Sequence, residues 1–170
     1  MAYLYALIAL FGTLTLLNLL LTFGIIRRLR RRPANTTLVT YSGFPAPGSL
    51  VGDFADRDLT GRPVSRMDLA GRTVVGFFSP GCDACRDGLA GFVTAARSQP
   101  SLAVVMSDAA SAAEYLPSLT PVSRVVLQEP DGPLIAAFTV TAFPSFFVVE
   151  AGRIVAGSVT LDDLPISAAA

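Results

Sequence analysis

The chain has 170 residues, no histidine, two cysteines, and 13 basic and 13 acidic residues. Five of the basic residues fall within residues 27–32 and every acidic residue lies beyond them, so the rest of the chain is acidic and does not suit nucleic-acid binding. Without histidine, Ser-His and Cys-His nucleophilic systems are excluded, and a zinc site would need carboxylates to complete it. We therefore expect neither a nucleic-acid partner nor a bound metal.

The first 26 residues carry no charged side chain and are followed at once by the five arginines. An uncharged apolar stretch of about 20 residues is typical of a transmembrane helix, and a buried core helix rarely stays uncharged for so long. The positive charge follows the stretch, whereas in a cleavable signal peptide it comes first. We predict a transmembrane helix over residues 1–26 in contact with lipid, then a basic collar and flexible linker over 27–49.

The arginine cluster also predicts which way the chain crosses the cell membrane. Loops that stay in the cytoplasm carry an excess of basic residues, and residues 27–32 supply that excess directly after the span. The positive-inside rule therefore places the domain that follows on the cytoplasmic face.

Beyond the linker, the sequence predicts one domain over residues 50–162 and a disordered tail over 163–170. Two turn signals, Thr60-Gly61 and Ala70-Gly71, predict a small hairpin or loop layer at its start. Apolar runs then predict strands at 73–79, 102–106 and 124–127, and helices at 82–98, at 108–119 and around 135–138. The segments 145–149 and 153–159 predict an antiparallel hairpin. Strands separated by helices and closed by a hairpin indicate an α/β fold with a central sheet.

Cys82 and Cys85 lie where the apolar strand gives way to the first helix, and two thiols at this spacing can form a reversible disulfide. Cys82 is expected at the helix N-terminus, where free N–H groups favour a thiolate, so we predict that it is the nucleophile. Cys85 should stay a thiol until it attacks the mixed disulfide. Asp83 and Arg86 act on the thiolate in opposite directions, and the sequence does not decide between them.

The plainer alternative for the two cysteines is a disulfide that only fastens a turn, or two inert buried thiols. A bridge that closes so short a loop removes little chain entropy, so it contributes much less stability than one that spans a longer loop. The placement between a strand and a helix therefore favours redox chemistry.

Three segments, TVVGFFSPGCDACRD, LAVVMSD and VTAFPSFFVVEAGRIV, resemble thioredoxin-like thiol-disulfide oxidoreductases of the TlpA and ResA type. The stretch FFSPGCDAC resembles the methylamine-utilisation MauD group. The resemblance covers about residues 50–160 and implies a thioredoxin-like fold in which a central mixed sheet is flanked by helices. It also implies that a Cys82-Cys85 disulfide is the redox-active group and that no other cofactor is needed. The implied partners are protein thiol or disulfide substrates and a dithiol electron donor.

In this family a cis-proline lies against the active-site disulfide, and Phe143-Pro144 matches it by its place before the hairpin. The resemblance thus implies that Phe143 and Pro144 bind substrate. The alternative is that Pro144 only starts a strand, a position at which proline is tolerated. Family members usually act outside the cytoplasmic membrane, which opposes the sidedness that the arginines predict.

Two positions depart from the family pattern. Gly81 stands where many relatives have an aromatic residue, and Gly76 stands where thioredoxins carry a buried acid, so the usual proton acceptor for Cys85 is missing. Glu129 is a candidate substitute, although a solvated loop carboxylate is the plainer interpretation. We therefore keep a competing function: a membrane-tethered binding or scaffold domain that assists maturation of a redox enzyme, with non-catalytic cysteines.

Overall fold

The computed structural model of the chain describes Tyr3, Tyr5 and residues 11–15, 43–108 and 110–166. It divides into two units, Met1–Val39 and Thr40–Ala170. In the first unit the described residues are helical, but most of the predicted membrane span and all of the basic collar lie outside the described part. No helix within the described ranges combines the length and the apolar character needed to cross a membrane.

The described residues of the second unit form seven strands, and these are β1 Ala55–Arg57, β2 Pro63–Ser65, β3 Thr73–Phe78, β4 Ser101–Met106, β5 Arg124–Gln128, β6 Ser145–Glu150 and β7 Arg153–Ser158. The first two form the small antiparallel hairpin expected at the start of the domain. The other five form one sheet in the order β5-β4-β3-β6-β7. β3, β4 and β5 run parallel, while β6 is antiparallel to both β3 and β7. The expected mixed sheet is confirmed.

Within the part of this unit that the structure describes, three α-helices accompany the sheet, and these are α1 Asp83–Ala96, α2 Leu116–Leu119 and α3 Pro133–Ala137. Two hydrophobic layers cover the two faces of β3, because successive side chains of a strand point to opposite sides. The α1 layer includes Val74, Phe78, Cys85, Phe92 and Phe146. The α3 layer includes Val75, Phe77, Leu134, Phe138 and Phe147. All six residues of β3 are buried, which is the pattern of a central strand covered on both faces.

Most predicted strands and helices agree with the structure to within two residues at each end. The exception is the helix predicted over residues 108–119, which is wrong. The segment forms a 3₁₀ turn, Ser111–Glu114, and then the separate helix α2. Pro117 has no N–H to donate to the Ala113 carbonyl, so a continuous helix cannot pass through it. The break falls at Tyr115, whose side chain is fully buried.

Packing extends past both ends of the predicted domain. Gly48 lies in the segment predicted as a flexible linker, but its N–H donates to the Ile154 carbonyl at 2.7 Å, along the outer edge of β7. Residues 163–166 lie in the segment predicted as a disordered tail, but Leu164 is buried and Ile166 packs against the α1 layer. Burial of these apolar side chains orders residues 163–166.

Helix α3 ends in a Schellman motif, which leads into the loop that carries Phe143 and Pro144. Thr139 N–H donates to the Ala136 carbonyl at 3.1 Å, and Val140 N–H donates to the Ile135 carbonyl at 3.0 Å. Thr139 has a φ of +52°, in the left-handed region that β-branched residues adopt only at a cost. Glycine is the residue that this position favours.

We therefore predict that Thr139→Gly raises the free energy of unfolding by about 0.5–1 kcal/mol. Glycine removes the steric cost of the left-handed φ, and the greater entropy of the unfolded glycine variant cancels part of that gain. Urea denaturation of the variant and the wild type measures the difference. Thr139→Val keeps the β-branch and is expected to be no more stable than wild type. A Thr139→Gly protein less stable than wild type contradicts the assignment.

Candidate active site

Cys82 is carried by a turn that closes directly after β3. Its N–H donates to the Ser79 carbonyl at 3.4 Å, so Ser79-Pro80-Gly81-Cys82 forms a four-residue turn. Proline at the second position and glycine at the third, with φ +74°, are typical of a type II turn. Gly81, where many relatives have an aromatic residue, is therefore explained by the backbone conformation that this turn requires.

The structure places Cys82 where the sequence predicts it, as the N-cap residue of α1. The Cys82 side chain is partly exposed. The Cys85 N–H lies 3.2 Å from Cys82 Sγ and 3.1 Å from the Cys82 carbonyl oxygen, so it donates to both. The N–H groups of a first helical turn have no partner within the helix and stabilise negative charge. A thiolate at Cys82 is thus supplied with a backbone donor.

Cys85, one helical turn further on, has no exposed surface. It packs in the α1 layer with Phe78 and Phe92. Burial, followed by a hydrogen bond with the Cys82 side chain, raises the pKa of the Cys85 thiol well above its ordinary value. Cys85 is therefore protonated at neutral pH and inaccessible to solvent.

The Phe143-Pro144 peptide bond is cis, as the resemblance implies. The Cys82 thiol donates to the Phe143 carbonyl oxygen over 3.7 Å. Pro144 is buried, and Gly88 of α1 lies nearby, where a Cβ would make an ordinary contact with Pro144 Cγ at 3.8 Å but would crowd Phe146 at 2.9 Å. Pro144 also directly precedes β6, so the strand-start alternative describes its position but does not account for the contact between Phe143 and Cys82.

The charges beside the dithiol largely neutralise one another. Arg86 Nη2 forms an ion pair with the Asp83 carboxylate, and Arg86 Nη1 lies 3.3 Å from Glu114 Oε1. Glu114 arrives from the 3₁₀ turn before α2, and nothing in the sequence pattern marked it. Because one guanidinium is shared by two carboxylates, Arg86 would offer a negative charge on Cys82 little attraction.

The position of the buried acid in thioredoxins is closed in this chain. A Cβ on Gly76 would lie 2.7 Å from Phe92 Cε2, so the aromatic ring fills the space that an acidic side chain would need. Glu129, the candidate substitute, is exposed after the end of β5, two strands away from β3. Two strand spacings separate β5 from β3 by about 10 Å. The structure therefore does not bring Glu129 to the buried Cys85.

Tyr115 belongs to this site although sequence reasoning missed it. Its Oη donates to the Ser79 carbonyl at 3.1 Å, beneath the turn that carries Cys82. Burial, then negative charge on Cys85, raises the pKa of Tyr115 to about 12. The segment that contains Tyr115 has no regular helical period, so the sequence pattern did not predict that this side chain is buried. Across the described residues, no three Cys, Asp or Glu side chains are grouped so that they could hold a metal ion.

A central strand followed by a Cys-x-x-Cys helix start, with a cis-proline loop beside it, defines a thioredoxin-like α/β fold. The structure is similar to the thioredoxin domain of a thiol-disulfide oxidoreductase from Bacteroides vulgatus, with a TM-score of 0.60 and 22% identity, covering 70% of this chain and 92% of that one. It is also similar to a thio-disulfide isomerase from Thermus thermophilus, with a TM-score of 0.56 and 25% identity, covering 67% of this chain and 86% of that one.

A third similar structure is a secreted Mycobacterium tuberculosis disulfide oxidoreductase homologous to E. coli DsbE, with a TM-score of 0.54 and 17% identity, covering 69% of this chain and 87% of that one. No protein-family model and no curated protein sequence matches the chain. The structural neighbours are thiol-disulfide oxidoreductases, and at these identities the similarity establishes the thioredoxin-like fold. This similarity does not distinguish between the TlpA, ResA and MauD groups.

The difference in burial predicts the order in which the thiols react. In single-cysteine variants of the reduced protein, the thiol of Cys85→Ala should react with iodoacetamide at pH 7 at least about tenfold faster than that of Cys82→Ala. The raised pKa of Cys85 means that its rate should still be climbing at pH 9, because its thiolate fraction grows about tenfold per pH unit. Both variants should react equally once denatured. Faster alkylation of folded Cys82→Ala contradicts the assigned roles.

Proposed function

We propose that the protein is a membrane-anchored thiol-disulfide oxidoreductase of the TlpA and ResA type, similar to the MauD group, that reduces or exchanges protein disulfides through Cys82 and Cys85. The observation that carries the proposal is the asymmetry of the pair. Cys82 is accessible at the start of α1 beside the Phe143 carbonyl, whereas Cys85 is wholly buried one turn later. The names of the structural neighbours describe thiol-disulfide chemistry for those proteins.

The proposed reaction has two exchange steps. The Cys82 thiolate attacks one sulfur of a substrate disulfide, a mixed disulfide forms, and the other substrate sulfur leaves as a thiolate. Cys85 then loses its proton to solvent and attacks the Cys82 sulfur, which releases the second substrate thiolate and leaves a Cys82-Cys85 disulfide. Two electrons have passed to the substrate, and an external dithiol donor restores the pair. This disulfide is the only redox group that the proposal requires.

The loop at Phe143 and Pro144 supplies the proposed substrate-binding surface. Thr141 and Ala142 are exposed and Phe143 is half-buried, so this stretch of backbone is open to a partner. An extended peptide can pair with such a stretch through main-chain hydrogen bonds. Because Cys82 Sγ lies 3.7 Å from the Phe143 carbonyl oxygen, a disulfide bound along the loop would meet the attacking sulfur.

The surroundings of Cys85 favour a second candidate function, a membrane-tethered binding or scaffold domain that assists maturation of a redox enzyme. Phe92 covers Gly76 where an acid could have accepted the Cys85 proton. Burial raises the pKa of Cys85, so resolution of a mixed disulfide by Cys85 would be slow at neutral pH. Slow resolution suits a protein that holds a partner rather than one that turns over rapidly.

Insulin reduction by the full chain in detergent, with dithiothreitol as donor, separates the two candidates. The oxidoreductase should accelerate insulin precipitation, and Cys82→Ser should lower the rate to that of dithiothreitol alone because the remaining thiol, Cys85, is buried. Cys85→Ser is the matched control: it keeps the nucleophile and should accumulate a mixed disulfide. Wild-type protein that gives no acceleration contradicts the oxidoreductase and supports the binding domain.

We further propose that residues 1–26 anchor the protein in the cell membrane. Two arguments about sidedness disagree: the five arginines place the redox domain in the cytoplasm, whereas the TlpA-type resemblance places it outside. The Mycobacterium tuberculosis neighbour is described as secreted. We favour the cytoplasmic face, because the charge argument depends on residues of this chain and proteins that share a fold can differ in location.

Reporter fusions after Ala170 test this orientation. A fluorescent protein should fluoresce and alkaline phosphatase should be inactive, because the five arginines keep the C-terminal side in the cytoplasm. Changing those arginines to glutamine is the matched control and should weaken the bias. Phosphatase activity without fluorescence in the unaltered chain contradicts the cytoplasmic assignment.

A further inference from the structure

Tyr115 is the largest of the fully buried side chains in the described ranges. Its ring lies against Phe78 of β3, with the ring centroids 5.8 Å apart. A tyrosine hydroxyl in such an apolar layer needs a hydrogen-bond partner. Tyr115 Oη has one in the Ser79 carbonyl, at 3.1 Å. The residue therefore brings a single buried donor to the end of β3.

The Ser79 carbonyl is also the group that closes the turn before α1. It accepts the Cys82 N–H over 3.4 Å, which is long for a hydrogen bond of this type. The bond from Tyr115 is the shorter of the two. One carbonyl oxygen thus joins the buried hydroxyl to the backbone of the nucleophilic cysteine, and the hydroxyl fixes where that oxygen points.

Tyr115 is also electrostatically coupled to the dithiol, since charge on Cys85 or Cys82 would disfavour ionisation of its hydroxyl. Burial, then charge on Cys85, raises the pKa of Tyr115 to about 12, so the group remains a neutral donor throughout the working range. Its proton faces the negative end of the Ser79 carbonyl dipole. Without that proton, the Ser79 carbonyl would keep only its longer hydrogen bond, the one from the Cys82 N–H.

We propose that Tyr115 is a positioning residue for the dithiol: its hydroxyl holds the Ser79 carbonyl and, through it, the turn that sets Cys82 at the start of α1. The consequence for turnover rests on the proposed oxidoreductase function, whereas the consequence for Cys82 reactivity does not. The hydroxyl acts on the reacting sulfur through Ser79 and without touching substrate.

The test is Tyr115→Phe in the full chain in detergent, since this variant keeps the ring and removes only the hydroxyl. Loss of one buried hydrogen bond corresponds to a rate effect of about three- to tenfold. We expect iodoacetamide to alkylate Cys82 slower by that factor at pH 7, insulin reduction to fall in parallel, and the equilibrium with glutathione to move toward the disulfide.

Thr73→Val is the matched control. Thr73 is buried at the other end of β3, where its hydroxyl donates to the Gly71 carbonyl at 3.2 Å. It should lose stability in urea to a similar extent and leave Cys82 alkylation within about 1.5-fold of wild type, because it lies far from the turn. Equal slowing in both variants would mean a general loss of stability and would overturn the proposal.

Gly81→Ala examines the same turn if Tyr115→Phe does not fold. A Cβ on Gly81 meets open space but strains its φ of +74°, so the variant disturbs the turn from outside the core. It should slow Cys82 alkylation by a similar factor. The positioning role is overturned if folded Tyr115→Phe is alkylated at the wild-type rate. If only Gly81→Ala folds, alkylation of that variant at the wild-type rate overturns it. Wild-type protein that fails to reduce insulin overturns the oxidoreductase function alone.

Discussion

The close approach of α1 to the sheet is the constraint on which the rest of the site depends. Gly76 on β3 lies against the Phe92 ring, and Gly88 on α1 lies against Phe146 of β6. A Cβ added to Gly76 would lie 2.7 Å from Phe92, and one added to Gly88 would lie 2.9 Å from Phe146. A side chain at either glycine would push the helix outward. The helix start would then leave the Phe143 carbonyl, since the cis-proline loop is fixed by β6 and Cys82 by α1.

The same packing determines how the site handles charge. The Phe92 ring, which packs against Gly76, also fills the space that a buried acid would need. Cys85 is therefore surrounded by apolar side chains. Arg86 is shared between Asp83 and Glu114 and offers little to a thiolate. Cys82 is held by backbone groups instead: the Cys85 N–H donates to its sulfur, and the Ser79 carbonyl, which also accepts from the Tyr115 hydroxyl, accepts the Cys82 N–H.

Features encoded by contiguous residues could be predicted from the sequence. An apolar run gave β3, and the cysteine spacing together with the Pro80-Gly81 break placed Cys82 at the start of a helix. Tyr115 and Glu114 could not be found in this way, because they reach the site from a segment that forms two short turns, one on each side of Tyr115, and has no regular period. Packing of residues 163–166 was missed for a similar reason: a few apolar side chains in a short polar stretch give no periodic signal.

Burial of Cys85 also gives the two thiols an order of action. In the reduced pair, the pKa of Cys85 is raised by burial and further by its hydrogen bond with Cys82 and by charge there. Once Cys82 is joined to a substrate sulfur it carries no charge, so the coulombic contribution disappears while burial remains. The second thiol therefore becomes easier to deprotonate only after the first has reacted. In the proposed reaction, charge on Cys82 thus adds to what keeps Cys85 protonated before a mixed disulfide forms, while burial, the larger contribution, opposes its deprotonation throughout.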